Sequence, residues 1–159
     1  MKEFKFEFNY VEVPVGELSP LDGELYERAI DATKDAYAPY SNFQVGAALM
    51  LTNGKIVTGN NQENAAYPSG LCAERVALFY ANAKYPGVSV RTLAIVAMVN
   101  GKLKKGISPC GACRQVMLET EERGDMPIRI LLCGKETALI VPSVKVLLPL
   151  AFSEKDLKS

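Results

Sequence analysis

The sequence predicts an α/β domain whose single sheet is covered by helices on both faces. Two observations carry that prediction. Dense apolar runs of strand length, at residues 45–51, 92–99 and 128–133, alternate with segments whose apolar residues recur at helical spacing. Serine-proline pairs and isolated prolines mark where the helical segments begin and end. A length of 159 residues fits one domain. The chain divides into an N-terminal arm or edge strand at residues 1–18 and a single domain at residues 19–159, with no internal repeat or linker between them.

Residues 4–13 alternate, with Phe4, Phe6, Phe8 and Tyr10 on one side and Lys5, Glu7 and Asn9 on the other. That is the period of a half-buried strand. Placed ahead of the first helix, it reads as an addition to a domain complete without it, free to meet a neighbouring subunit. Ser19-Pro20 supplies an N-cap and a proline at the first helical position, with Asp22 and Glu24 in the opening turn. Leu21, Leu25, Ala29, Ile30, Ala32, Ala36 and Tyr37 follow at helical spacing until Pro39 stops the helix.

Residues 45–51 form an apolar strand, and Asn53-Gly54 turns it into a partner at 55–58. A loop at 59–71 leads to Cys72, which opens a second helix carrying Val76, Leu78, Phe79 and Ala83 before Pro86-Gly87. Residues 92–99 read as a buried central strand. Ser108-Pro109 repeats the cap-plus-proline signal and starts a third helix through Val116 and Leu118 to about Arg123. Strands follow at 128–133 and 138–141, and Ser143 caps a short last helix through Leu147 and Leu148, stopped by Pro149.

Charge and composition exclude several classes of function. Lys+Arg and Asp+Glu each total 18, so there is no basic footprint for nucleic acid or a membrane surface. No apolar run is long enough to span a bilayer, and the start lacks the apolar core of a signal peptide. The expected location is the cytoplasm, where cysteines stay reduced. The chain has no histidine. That removes catalytic triads and dyads built on imidazole, and every zinc site that needs one. Proton transfer then falls to a carboxylate, Lys, Tyr or Cys, or to a metal-bound water.

The chemistry concentrates in Cys72-Ala73-Glu74-Arg75 and Pro109-Cys110-Gly111-Ala112-Cys113-Arg114-Gln115. Cys110 and Cys113 are three apart at a helix start, and Cys72 starts another helix. Helix N-termini favour thiolate over thiol. Three thiolate ligands leave one tetrahedral position open, the mark of a catalytic rather than a structural zinc. Three thiolates and a dipositive ion carry a net negative charge, which opposes ionising a bound water. Arg75 is placed to hydrogen-bond a ligand sulfur and offset that charge. Glu74, not needed as a ligand, can face the open position, accept a proton from the bound water and pass it to substrate. The combination suits hydrolytic removal of an amine from an amidine-like carbon, the constellation known from zinc deaminases.

Other readings of these residues exist. A closed four-cysteine zinc site would recruit Cys133, which sits alone in a strand and reads better as a buried, inert thiol. A thioredoxin-like role for Cys110-Gly111-Ala112-Cys113 has no place for Cys72 or Glu74. A zinc-stabilised binding protein without turnover has no use for a carboxylate at an open metal position.

The chain resembles the small three-cysteine cytidine deaminases from about Leu21 to Phe152. The resemblance rests on Tyr37-Ala38-Pro39-Tyr40-Ser41-Asn42-Phe43-Gln44-Val45-Gly46-Ala47-Ala48, Gly59-Asn60-Asn61-Gln62-Glu63-Asn64-Ala65-Ala66-Tyr67, the two cysteine clusters, and Leu147-Leu148-Pro149-Leu150-Ala151-Phe152. It implies a three-layer α/β/α sandwich around a mixed five-stranded sheet, assembled as a homotetramer. It implies one Zn2+ per subunit on Cys72, Cys110 and Cys113, with Glu74 as proton shuttle in pyrimidine salvage. Asn61 and Glu63 match positions that hold the sugar hydroxyls, and Phe43 the one that packs on the base. Tyr67, Ala73 and Phe152 complete the implied substrate contacts, Phe152 and Tyr67 by reaching across a subunit boundary. The implied substrates are cytidine and deoxycytidine, with another cytosine nucleoside such as blasticidin S as the alternative. The N-terminal arm and Pro68-Ser69-Gly70-Leu71 depart from the family pattern, the latter beside the pocket.

Overall fold

The computed structural model describes residues 1–158. Its elements run β1 (Val11–Pro14), α1 (Pro20–Thr33), β2 (Phe43–Leu51), β3 (Ile56–Asn60), α2 (Ala73–Lys84), β4 (Val90–Val99), β5 (Lys102–Leu103), α3 (Gly111–Gly124), β6 (Arg129–Cys133), β7 (Thr137–Val141) and α4 (Glu154–Leu157). The sheet order is β1-β7-β6-β4-β2-β3, with β5 paired to β4. β4 and β6 run parallel and are joined through α3, while the other pairs are antiparallel. The expected mixed sheet of five strands is β2, β3, β4, β6 and β7, and β1 and β5 extend it to seven.

Strand periodicity assigns each side chain to one of two cores. Ala47, Leu49 and Leu51 of β2 join Leu93, Ile95 and Ala97 of β4 beneath α2 and α3, where Ala77, Leu78, Ala81, Met117 and Leu118 meet them. Ala48 and Met50, with Ala94 and Val96, face the other way and are covered by Leu25, Tyr26 and Ala29 of α1. The result is three layers, α/β/α. Each leucine or isoleucine sealed in these cores contributes roughly 1.5–3 kcal/mol over the exposed state. Two glycines let the helices lie directly on the hairpin. A Cβ on Gly46 would sit 1.9 Å from the Ala29 carbonyl oxygen, and one on Gly59 would sit 2.6 Å from both the Ala73 carbonyl oxygen and the Ala77 amide.

Where sequence and structure part, tertiary contacts explain the difference. α1 ends at Thr33 rather than running to Tyr37. The Thr33 hydroxyl bonds the Ile30 carbonyl, and the Tyr37 amide bonds Asn61 instead of a helical carbonyl. Of the alternating segment at 4–13, only residues from Val11 onward pair with β7. α3 begins at Gly111 with Cys110 as its N-cap, so Ser108-Pro109 leads into the helix from outside it. Ser143 caps a single 3₁₀ turn, Val144–Val146, not an α-helix. The sequence reading missed two elements. Asn100 and Gly101, both at positive φ, turn β4 back into β5. Ser153 and Asp156 form a capping box on α4.

Candidate active site

The sites of chemistry lie where α2 and α3 begin. Cys72 is the N-cap of α2 and Cys110 the N-cap of α3, and neither side chain caps its helix. A serine or aspartate there would turn inward to accept a first-turn N–H. The thiols face each other instead, with Cys72 Sγ 3.8 Å from Cys110 Sγ and Cys110 Sγ 3.5 Å from Cys113 Sγ. The three sulfurs all lie within 4.8 Å of one another. Zinc–sulfur bonds of about 2.3 Å in a tetrahedron set sulfurs about 3.8 Å apart, so the cluster fits zinc without rearranging either helix. Thiolates also select zinc over hard cations such as magnesium. Cys133 is excluded from a fourth ligand position by the sheet itself, because it packs in the α1 core on the opposite face. Burial there pushes its thiol up to about 12.

The cluster's surroundings favour thiolate at Cys72. A hydrogen bond from Cys113 holds Cys72 down at about 5 against the opposing effect of burial, and Arg75 adds to the lowering. The same shared hydrogen bond, with burial, raises Cys113. Arg75 Nη2 reaches Cys72 Sγ at 3.8 Å, and its buried Nε has no hydrogen-bond acceptor among the described residues. A guanidinium so placed is satisfied chiefly by the negative charge of the sulfurs.

Glu74 sits in the first turn of α2, and only 3% of it is exposed. Burial raises its carboxyl above the ordinary range, and the charge on Cys72 adds to the effect, while contacts with backbone N–H, Cys113 and Arg75 oppose it. Ala73 beside it is fully buried under Gly59.

A second group of residues is tied to the segment that leads into Cys72. Gln62 and Leu71 exchange backbone hydrogen bonds of 2.9 Å in both directions, which sets Asn61-Gln62-Glu63 alongside the entry to Cys72. Asn61 is itself fixed by the strand: its Oδ1 accepts from the Val45 amide at 2.7 Å and its Nδ2 donates to the Phe43 carbonyl at 2.8 Å. Glu63 accepts from the amides of Tyr40 at 2.9 Å and Ser41 at 3.3 Å and from the Ser41 hydroxyl. The Ser41 bond leads in holding its carboxyl below the usual range. Phe43 is half-buried at the start of β2. Tyr67, in the 3₁₀ turn Tyr67–Ser69, and Phe152, the two residues expected to reach across subunits, are both exposed.

Residue-by-residue reading missed the supports. Ser41 orients Glu63, Gln115 Nε2 donates to the Phe152 carbonyl at 2.8 Å, and Arg114 ties Pro109 to Leu147 through their carbonyls at 2.9 and 2.8 Å. All three lie inside the motifs already singled out. Only the fold reveals which groups they reach.

An α/β/α sandwich holding three thiols at two helix N-termini, with a buried glutamate among them, defines a thiolate-zinc hydrolase. The family model described as the cytidine and deoxycytidylate deaminase zinc-binding region matches residues 20–125. The chain belongs to that family of hydrolytic deaminases. It is 40% identical over 133 residues to a cytidine deaminase of Halalkalibacterium halodurans, covering 84% of this chain and 95% of that one. It is 46% identical over 127 residues to one of Sporosarcina psychrophila, covering 79% and 87%. Its fold matches the crystal structure of cytidine deaminase from Burkholderia pseudomallei with a TM-score of 0.70 at 42% identity, over 82% of this chain and 98% of that one.

Proposed function

We propose that this protein converts cytidine and deoxycytidine, by zinc-dependent hydrolysis, to uridine and deoxyuridine with release of ammonia. The observation that carries the reading is the buried Glu74 carboxyl two residues beyond Cys72, in a cluster whose three sulfurs lie within 4.8 Å of one another. Cys72, Cys110 and Cys113 hold the zinc. Bound there, the ion supplies Lewis acidity that brings the pKa of water from about 15.7 toward about 7.

The chain's own groups do the rest. Glu74 accepts the proton of the attacking water and delivers it to the ring nitrogen beside the amine-bearing carbon. It then takes the proton of the newly added hydroxyl and passes it to the amine, so that the C–N bond breaks as the carbonyl forms and ammonia leaves. The raised carboxyl of Glu74 suits a group that must take up a proton as well as give one away. Arg75 balances the thiolate charge. Asn61 and Glu63, already oriented by Phe43, Val45, Tyr40 and Ser41, take the sugar hydroxyls, and Phe43 offers its ring to the base. Ala73, between Cys72 and Glu74, is the remaining proposed contact and acts from beneath the pocket. A site that bonds a hydroxyl discriminates strongly against analogues lacking it.

The assembly we propose is a homotetramer in which Tyr67 and Phe152 complete a neighbour's pocket. Their exposure supports this, as does an open groove of about 520 Å³ between α2 and α3, flanked by exposed Phe79. Residues 1–18 are an appendage to a catalytic domain at 19–159. A cytoplasmic role in pyrimidine salvage suits ligands that must stay reduced. No helix is long and apolar enough to cross a membrane among the described residues.

The test is to supply the zinc-loaded protein with cytidine, deoxycytidine and blasticidin S in parallel, following ultraviolet absorbance and ammonia. Turnover of both simple nucleosides, abolished together with zinc binding in Cys113→Ala, is expected. Turnover of blasticidin S alone would overturn the substrate assignment.

A further inference from the structure

The N-terminal arm is the one apolar segment that the catalytic reading leaves unused. Phe4, Phe6, Phe8 and Tyr10 are all at least half exposed, and their rings line up, with centroids 6.0 Å apart for Phe6–Phe8 and 6.3 Å for Phe8–Tyr10. Lys5 and Glu7 pair with each other on the polar side. Among the described residues no hydrogen bond ties residues 1–10 to the domain, although Val11 enters β1 directly. The family model begins only at residue 20, so the shared domain does not call for this strand.

We propose that residues 2–10 of two copies of this chain pair as an antiparallel β-ribbon with Phe6 on the two-fold axis. The sequence is self-complementary in that register. Phe6 meets Phe6 of the second copy once, on the axis, while Phe4 meets Phe8 and Lys5 meets Glu7 twice each, as an isologous contact requires. Directly opposed aromatic and opposite-charge pairs are the contacts that stabilise an antiparallel ladder. Neighbouring registers fail. A slip of one residue sets aromatic rings against charged or polar side chains, and a slip of two sets Lys5 against Lys5 or Glu7 against Glu7. A two-stranded ribbon standing alone is marginal in water. Here each strand is continuous with β1, whose register on β7 is fixed from Val11 to Pro14.

The pairing is independent of which nucleoside the enzyme uses, and its test does not read activity. Zinc-loaded full-length protein carrying Phe6→Cys is exposed to oxidised glutathione beside the parent, Phe4→Cys, and a mixture of Phe4→Cys with Phe8→Cys chains. A covalent dimer is expected from Phe6→Cys and from the mixture, and little from the parent or from Phe4→Cys alone. Amide hydrogen exchange supplies the second arm. Residues 2–10 should be protected in the parent, lose protection at least tenfold in Lys5→Glu and in Glu7→Lys, and regain it in the double charge swap. Equal cross-linking through Phe4→Cys and Phe6→Cys, or protection indifferent to both charge reversals, would overturn the register. An unprotected arm in the parent would overturn the pairing itself.

Discussion

Arg75 donates through Nη2 to Cys72 Sγ at 3.8 Å, so the cation nearest the cluster is supplied by the same helix start that supplies the first ligand. Replacing it should leave three sulfurs with an uncompensated negative charge. For Arg75→Ala the expected result is a loss of about 10–100-fold in zinc affinity or turnover, the usual range for a residue that orients a metal ligand. Arg75→Lys should recover part of the loss, because it restores charge without the planar fork. Zinc titration and kcat, measured side by side, decide the point. A variant with full zinc and full turnover contradicts it.

Glu63 tests the sugar assignment. Its carboxylate is preset by Tyr40 and Ser41 before any substrate arrives. Glu63→Gln should raise KM for cytidine roughly tenfold or more, with a smaller effect on kcat, since the bond is made to the ground state and transition state alike. Ser41→Ala should move KM in the same direction by less. A change confined to kcat would place Glu63 in the chemistry instead.

Gly59 links packing to the metal centre. A Cβ there meets backbone atoms of α2 on either side of the Glu74 turn, at 2.6 Å, and backbone cannot swing aside as a flexible side chain would. Gly59→Ala should therefore push the start of α2 away from the sheet. The expected cost is about 1–3 kcal/mol of stability, as for other overpacked positions, together with weaker zinc binding. Denaturant unfolding and zinc titration check both parts. Unchanged zinc affinity in a destabilised variant would separate the helix position from the site.

Asp22 and Arg129 provide the pH-dependent link between α1 and β6, a bidentate pair at 2.5 and 2.8 Å. Burial raises the Asp22 carboxyl, but the bonds from Arg129 and Ser19 and the Arg129 charge outweigh it, so the net shift is downward. A carboxylate lowered in the folded state stabilises the fold above its unfolded pKa of about 3.9, and that contribution disappears as pH falls through the lower folded value. Asp22→Asn should thus be destabilised at pH 7 by about 2 kcal/mol, below the 3–5 kcal/mol of a fully buried pair because Arg129 remains partly in water. The gap between variant and parent should begin to narrow as pH falls below about 4. A gap that does not narrow at all on acidification would mean that packing, not charge, carries the effect.

What the sequence revealed follows from the range of the forces involved. Local signals were legible: the Ser19-Pro20 helix start, the dense apolar runs at 45–51 and 92–99, and the cysteine spacing that places Cys110 and Cys113 on one helical turn. Interactions between distant segments were not. The end of α1 at Thr33 depends on Asn61, twenty-eight residues away, drawing the Tyr37 amide out of the helix. The placement of Asn61 and Glu63 beside Cys72 depends on the Gln62–Leu71 bridge, which no spacing announces. Ser41, Gln115 and Arg114 were visible as residues but not as supports, because their partners, the Glu63 carboxylate and the carbonyls of Phe152, Pro109 and Leu147, are brought near only by the folded chain.

The measurement that bears most directly on the account is conversion of cytidine to uridine by the zinc-loaded protein beside Glu74→Gln, with zinc counted in both. One zinc per chain is expected in each, with rapid release of ammonia by the parent and turnover reduced by at least about a hundredfold in the variant, the scale of a lost general acid-base. Comparable turnover by Glu74→Gln at equal zinc content would contradict the assignment of Glu74 as the proton carrier, and an inert, fully zinc-loaded parent would contradict the deamination of cytidine itself.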